Sequence, residues 1–163
     1  MNTEILQPNL EHNMQWIANH KLDKLEEKVD FYKSESLFGS PALALALRCQ
    51  AELIDKRMSF DTQIENTNRI IWVQVGSKVV GGICYKFKEF ACGHIVLSFT
   101  DPEYRGLGIN LLCKKHCEND CIDNHMTHIV TTIHVHNYTS YNNNEKMGLK
   151  PVFTTMMKQL KQN

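Results

Sequence analysis

The chain lacks the features that would send it into a membrane or onto a polyanion. No apolar run approaches the roughly 20 residues a helix needs to cross a bilayer, and the opening stretch from Met1 to Asn13 has neither a basic n-region nor an apolar h-region. A soluble, cytoplasmic protein is expected. An excess of one charge is also missing, since 18 Lys and Arg stand against 18 Asp and Glu with no block of like sign. Such a chain has no overall field to gather nucleic acid or an anionic membrane, although a local basic pocket stays open to it. Internal repeats and low-complexity segments are absent. The 163 residues suit one domain, long enough to bury roughly 70% of the surface the unfolded chain exposes.

A disulfide framework is missing as well. Cys49, Cys84, Cys92, Cys113, Cys117 and Cys121 sit singly on predicted helices and strands, so they read as reduced thiols. Three of them, Cys113, Cys117 and Cys121, recur at i, i+4, i+8 with His116 beside them. A metal stripe is one reading, but thiols stacked along one helix do not converge on one ion, and small apolar packing is the stronger account. His134 and His136 fall on one face of a predicted strand, with His125 and His128 before it, and suit polar surface or site lining better than a metal. No metal site is expected.

What the chain does contain is a sequence of clear periodicities. A short strand at Thr3 to Leu6 is stopped by Pro8, and a helical pattern then runs from Asn9 to about Tyr32. A second helix is predicted from Pro41 to Met58, capped by Ser40, with Leu43, Leu47, Ala51, Ile54 and Met58 buried and Arg48, Glu52 and Lys56 facing water. Three antiparallel strands follow, Ile70 to Val75, Lys78 to Phe87 and Phe90 to Thr100, the first two joined by a tight turn at Gly76-Ser77. Gly81-Gly82 inside the second strand points to a bulge or a close approach. A helix from Leu107 to about Asp123 leads to a parallel strand from Thr127 to Val135. Last come a helix from Tyr138 to Met147, closed by Gly148, and a strand from Pro151 to Leu160.

The stretch from Thr100 to Asn119 organises the rest. A strand passes through an arginine and two glycines into a helix, leaving the first helical amides unpaired at the positive end of the dipole, where glycines let a ligand approach. That arrangement grips phosphate oxygens. The hexapeptide Arg105-Gly106-Leu107-Gly108-Ile109-Asn110 resembles the signature of the GNAT superfamily of N-acetyltransferases, and Asn137 followed by Gly148-Leu149 matches a second element of that family. The resemblance covers the C-terminal two thirds of the chain.

It implies an α/β domain with a mixed, mostly antiparallel sheet, a central splay and flanking helices. Residues 1–65 would be the variable helical part on the substrate side and residues 66–163 the cofactor-binding core. By the same resemblance, acetyl-coenzyme A is the co-substrate. Its pyrophosphate would rest on the amides of Arg105, Gly106, Leu107, Gly108, Ile109 and Asn110, and its pantetheine arm would pair with Leu97, Ser98 and Phe99. Asn137 would bond that arm or hold the strands apart. The acceptor would be a primary amine of a small molecule or peptide, attacking directly in a ternary complex.

Two positions depart from the family pattern. Asn110 replaces a small residue at the end of the signature, and Asn144 stands where many relatives carry a tyrosine that protonates the leaving thiolate. Tyr141, three residues earlier, is the substitute acid to consider, with Tyr138 a weaker one. For the base, His134 comes first because imidazole titrates in the right range, with Glu89, His94 and Asp101 as alternatives. A non-catalytic acyl-coenzyme A binding or protein-interaction module is the competing expectation. A sheet edge left open near the C-terminus favours a homodimer.

Overall fold

β-branched and aromatic runs between turn residues build the sheet on which the rest of the described structure is placed. The computed structural model describes residues 3–5, 28–56, 64, 67–153 and 156. In chain order these form β1 (Thr3–Ile5), β2 (Val29–Ser34), α1 (Leu43–Asp55), β3 (Arg69–Val75), β4 (Lys78–Lys88), β5 (Cys92–Thr100), a short 3-10 turn (Pro102–Tyr104), α2 (Ile109–Asp123), β6 (His128–Thr131) and α3 (Tyr138–Lys146). The strands lie side by side in the order β1-β2-β3-β4-β5-β6. Every pair is antiparallel except β5 with β6, which α2 connects as a parallel crossover. This is the expected mixed α/β sheet.

Among the described residues, one helix covers each face of the sheet. Ile71, Val73, Ile83 and Ile95 pack against Ile109, Leu112, Cys113 and Cys117 of α2, whereas Ile70, Trp72, Leu97 and Phe99 pack against Ala42, Leu45, Ala46 and Cys49 on the α1 side. Burying each of the larger side chains contributes about 1.5–3 kcal/mol. The three stacked thiols of α2 belong to this core, as their packing role predicts.

Two register shifts shape β4 and β5. Val73 pairs with Gly81 but Gln74 with Val79, and Cys84 pairs with Leu97 but Tyr85 with Ile95, so Val80 and Val96 are the extra residues of β-bulges. The bulge at Val96 reverses the faces of β5: Ile95 joins the α2 core while Leu97 and Phe99 join the α1 core. Gly82 is required by the same packing. A Cβ there would sit 2.5 Å from the Phe99 ring and 2.6 Å from the Ile71 carbonyl oxygen, and one at Gly81 would sit 2.8 Å from Ile109.

Several elements differ from expectation. Residues Val29 to Tyr32 are a strand, not the end of a helix, because Val29 and Phe31 reach the α2 core while Tyr32 stacks on Trp72 across the sheet. The N-terminal part is therefore not purely helical; the predicted helix from Asn9 lies largely outside the described residues. On α1 the buried stripe is Leu45, Ala46 and Cys49, while Leu47 and Ile54 are exposed. The run LALALRC carries leucines on opposite sides, so its periodicity does not choose a face. Ser40 does not cap this helix: its hydroxyl donates to the Leu37 carbonyl at 2.7 Å, and the helix begins at Leu43. β5 starts at Cys92 because Phe90 and Ala91 adopt positive φ in the preceding turn. β6 ends at Thr131, well short of Val135, since its partner β5 turns away at the Val96 bulge. Pro151 to Phe153 form no strand, and most of the last predicted strand lies outside the described residues.

Candidate active site

The parting of β5 from β6 creates the site. Pairing runs from Cys92 with His128 to Ile95 with Thr131 and then stops, although β5 continues to Thr100. Beyond that point the backbone of Val96, Leu97, Ser98 and Phe99 borders a cleft of about 830 Å³ on its β6 side. The other walls are the first turn of α2, the segment after β6, the first turns of α3, and Cys49, Glu52, Leu53 and Lys56 at the α1 end.

The exit of β5, just behind the cleft lining, is pinned at Asp101. Its carboxylate accepts the Glu103 amide at 3.0 Å and Arg48 at 2.9 Å, with Lys78 at 3.5 Å, so the exit of β5 is tied to α1 and β4. Burial works the other way, but the Glu103 amide and the two cations hold its carboxyl below the usual range. Arg105 follows, with its Nε donating to the Thr100 carbonyl at 3.3 Å and its guanidinium forming a two-pronged pair with Glu52 at 2.8 and 3.2 Å. Hydrogen bonds from Arg105 and Lys56 pull the Glu52 carboxyl down to about 2. Glu52 is thus a cleft residue, not a purely solvent-facing one. Its sequence neighbours gave no sign of this, because the partner lies on a distant turn.

Gly106 and Gly108 have φ of +81° and +84°, a conformation that side chains rarely adopt. Gly108 precedes α2 without a side-chain cap, and the first helical bond runs from the Leu112 amide to the Gly108 carbonyl. The amides of Ile109, Asn110 and Leu111 consequently have no partner within the helix and stand at its positive end. Gly106, Gly108, Ile109 and Asn110 line the cleft; Leu107 packs on the α2 core instead.

On the opposite wall the histidines sit in an irregular segment and turn, not on a strand face. His134 lines the cleft, its carbonyl accepts the Asn137 amide at 2.8 Å, and its Nδ1 accepts the His136 amide at 3.2 Å. A ring that accepts at Nδ1 carries its proton on Nε2, so acting as a base requires release of the His136 amide. The other candidate bases are placed elsewhere: Glu89 is exposed in the β4–β5 turn, His94 is outside the lining with its Nδ1 buried and unpartnered, and Asp101 is held in its ion pairs.

α3 brings the remaining residues. Asn137 caps it by accepting the Ser140 amide at 3.1 Å. At the other end Gly148, with φ of +83°, donates to the Glu145 carbonyl and Leu149 donates to that of Asn144, the closure expected of a glycine there. Asn144 lines the cleft yet is only 4% exposed. Its Oδ1 accepts Lys114 Nζ at 2.8 Å, and its Nδ2 donates to the Ser140 carbonyl at 2.9 Å and hydroxyl at 3.3 Å. Tyr141 lies outside the lining, and the charge of the neighbouring Glu145 raises its phenol's pKa. Tyr138 does line the cleft and is largely exposed. Lys114 and Ser140 were not legible as site residues. Lys114 falls one turn after Asn110 on the same side of α2, but the adjacent Lys115 looks identical in sequence.

No curated protein matches the chain in sequence. A family model described as Acetyltransferase (GNAT) family matches residues 36–149. Among solved structures, an aminoglycoside acetyltransferase from an uncultured soil metagenomic sample, in complex with trehalose, superposes with a TM-score of 0.64 at 11% identity over 86% of this chain and 99% of its own. A predicted acetyltransferase with acetyl-CoA from Clostridium acetobutylicum gives 0.62 at 14% identity over 81% and 96%. A ribosomal-protein-alanine N-acetyltransferase from Brucella melitensis biovar Abortus 2308 gives 0.61 at 12% identity over 82% and 100%. At these identities the likeness is one of fold.

Proposed function

Because the chain belongs to the acetyltransferase (GNAT) family, we propose that it transfers acetyl from acetyl-coenzyme A directly to a primary amine of a small molecule or peptide within a ternary complex. The observation that carries this reading is the open edge of β5 beside the parted β6, ending at a turn whose helical amides are unpaired. The fold relatives include enzymes named for aminoglycosides and for a ribosomal-protein alanine, both amine acceptors. Those names support an amine here without selecting one.

The residues present fit the cofactor. The amides of Ile109, Asn110 and Leu111 suit phosphate oxygens, and Gly106 has nothing within 4 Å where a Cβ would stand, so a ligand can approach the backbone there. Arg105 is engaged with Glu52 and Thr100, so its side chain serves to tie the loop to α1 while its neighbours take the phosphates. Leu97, Ser98 and Phe99 offer backbone groups to an extended arm, as an added strand would use them. Asn137 spends its side-chain oxygen on capping and has its amide hydrogens to offer. When bound, acetyl-coenzyme A supplies an acetyl group activated as a thioester. A neutral amine must attack, and His134 takes the proton once the His136 amide is released.

Calorimetric titration with acetyl-coenzyme A tests the cradle. Wild type is expected to bind, whereas Gly108→Trp, which forces a bulky side chain into a positive-φ position at the helix entry, is expected to lose at least tenfold in affinity with its circular dichroism unchanged. Equal, tight binding by both proteins overturns the phosphate assignment. Mass spectrometry after incubation with acetyl-coenzyme A and mixed amines then reads the transfer itself.

A further inference from the structure

A buried ammonium ordinarily has a carboxylate beside it. Lys114 is 3% exposed, and among the described residues no carboxylate lies within ion-pair distance of it. Its titratable neighbours are Cys113 and Cys117 on its own helix, and the group facing it from α3 is the neutral Asn144. The cation therefore acts on a carboxamide, and what that carboxamide does next decides its use.

Asn144 passes the effect toward the cleft. With Oδ1 accepting from Lys114, its Nδ2 must face the other way, where it donates to the Ser140 carbonyl at 2.9 Å and to the Ser140 hydroxyl oxygen at 3.3 Å. A hydroxyl that accepts on its oxygen directs its own hydrogen elsewhere. Ser140 lines the cleft, and among the described residues no acceptor takes that hydrogen. Hydrogen bonds in series polarise one another, more so away from water. The chain from Lys114 through Asn144 to Ser140 thus ends in a strengthened O–H donor aimed into the cleft.

Resting on the acetyl-transfer reading above, we infer that the Ser140 hydroxyl donates a hydrogen bond to the thiolate that leaves during acetyl transfer, with Lys114 and Asn144 as the positioning residues that polarise and aim it. As the amine nitrogen bonds to the acetyl carbon, the carbon–sulfur bond breaks and its electron pair goes to sulfur. The proton shed by the nitrogen passes through His134 to solvent, the thiolate takes one back from solvent, and the sum is amide plus thiol. Lys114 keeps its proton throughout. Burial draws its pKa down to about 8, and below that pH the ammonium form that drives the chain is present.

The test reads the thiol and needs no amine. Coenzyme A is bound to the protein, its thiolate absorbance is followed against pH, and the desulfo analogue bound to the same protein subtracts the six protein thiols. In wild type the bound thiol is expected to titrate about one unit below free coenzyme A, a tenfold gain in thiolate. Ser140→Ala and Lys114→Met are each expected to restore the free value while still binding coenzyme A. Asn144→Asp keeps an acceptor for Lys114 but has no N–H for Ser140, and is expected to restore it too. Equal thiol titration in wild type and Ser140→Ala overturns the relay and leaves the acetyl-transfer reading standing. Failure of wild type to bind coenzyme A overturns both.

Discussion

α2 carries two buried charges that the protein treats in opposite ways. Asp120, near its C-terminal end, is 5% exposed and is met by Lys33 at 3.0 Å, Arg69 at 2.9 and 3.3 Å, and the Tyr85 hydroxyl at 2.8 Å, so α2 is tied to β2, β3 and β4 at one point. Lys114, nearer the N-terminus, is as deeply buried, and among the described residues it meets one neutral oxygen. A carboxylate with surplus partners is a structural anchor, whereas a cation with one neutral partner polarises that partner. The two lie at the ends of the helix that suit those purposes: the anchor under the closed part of the sheet, the cation beside the open part.

The sharpest way to break the comparison is at the anchor. Asp120→Asn keeps the shape but removes the negative charge that meets Lys33 and Arg69, each about one-fifth exposed. Stability should fall by about 3–5 kcal/mol, the range found when one partner of a buried pair is removed. Chemical denaturation with urea measures it. A loss below about 1 kcal/mol would mean that solvent already satisfies the cations and that Asp120 is no anchor.

Neither charge is recognisable from the sequence, and the reasons differ from those that hid parts of the fold. The strands β3, β4 and β5 are legible because Ile70 to Val75 and their neighbours are rich in β-branched residues between turn glycines. The glycine turn from Arg105 to Asn110 is legible because positive φ leaves few residue choices. β2 is not, since Leu22, Leu25, Val29 and Tyr32 also satisfy helical spacing, and only pairing with β3 decides between them. The end of β6 depends on where β5 bulges, a property of another strand. Lys114 and Lys115 are equal as letters, yet one meets Asn144 in the interior and the other pairs with Glu118 at 2.9 Å near the surface. Tertiary partners distinguish them, and single-sequence periodicity cannot.

The next effect in size concerns the cation. An unfolded chain keeps a lysine protonated up to the ordinary 10.5, whereas burial lowers the folded value of Lys114 to about 8. Between those values the unfolded state binds more protons, so this residue makes stability rise with pH, and its full penalty is present below about 8. Relative to Lys114→Met, wild type should gain about 2 kcal/mol between pH 7 and pH 9.5. The difference between the two proteins isolates this group from tyrosines and thiols, which titrate in both. Parallel stability profiles would show that water reaches Lys114, and the contrast with Asp120 would disappear.

The smallest expected effect sharpens the other side. Asn124 closes α2 next to the anchor, donating to the Asp120 backbone carbonyl at 2.7 Å and to its carboxylate at 3.3 Å, while its own oxygen accepts Arg69 at 3.4 Å. These bonds are partly buried, and Asp120 keeps Lys33, Arg69 and Tyr85 without them. Asn124→Ala should therefore cost only about 0.5–1.5 kcal/mol, the net value of an ordinary hydrogen bond. Urea midpoints for Asn124→Ala, Asp120→Asn and the double variant give the coupling directly. If the anchor is surplus to any one neighbour, the alanine adds little once the carboxylate has been neutralised, because the Arg69 guanidinium has already lost what fixed it. If instead the single alanine costs as much as Asp120→Asn, every partner is required at once, and Asp120 is as sparsely served as Lys114.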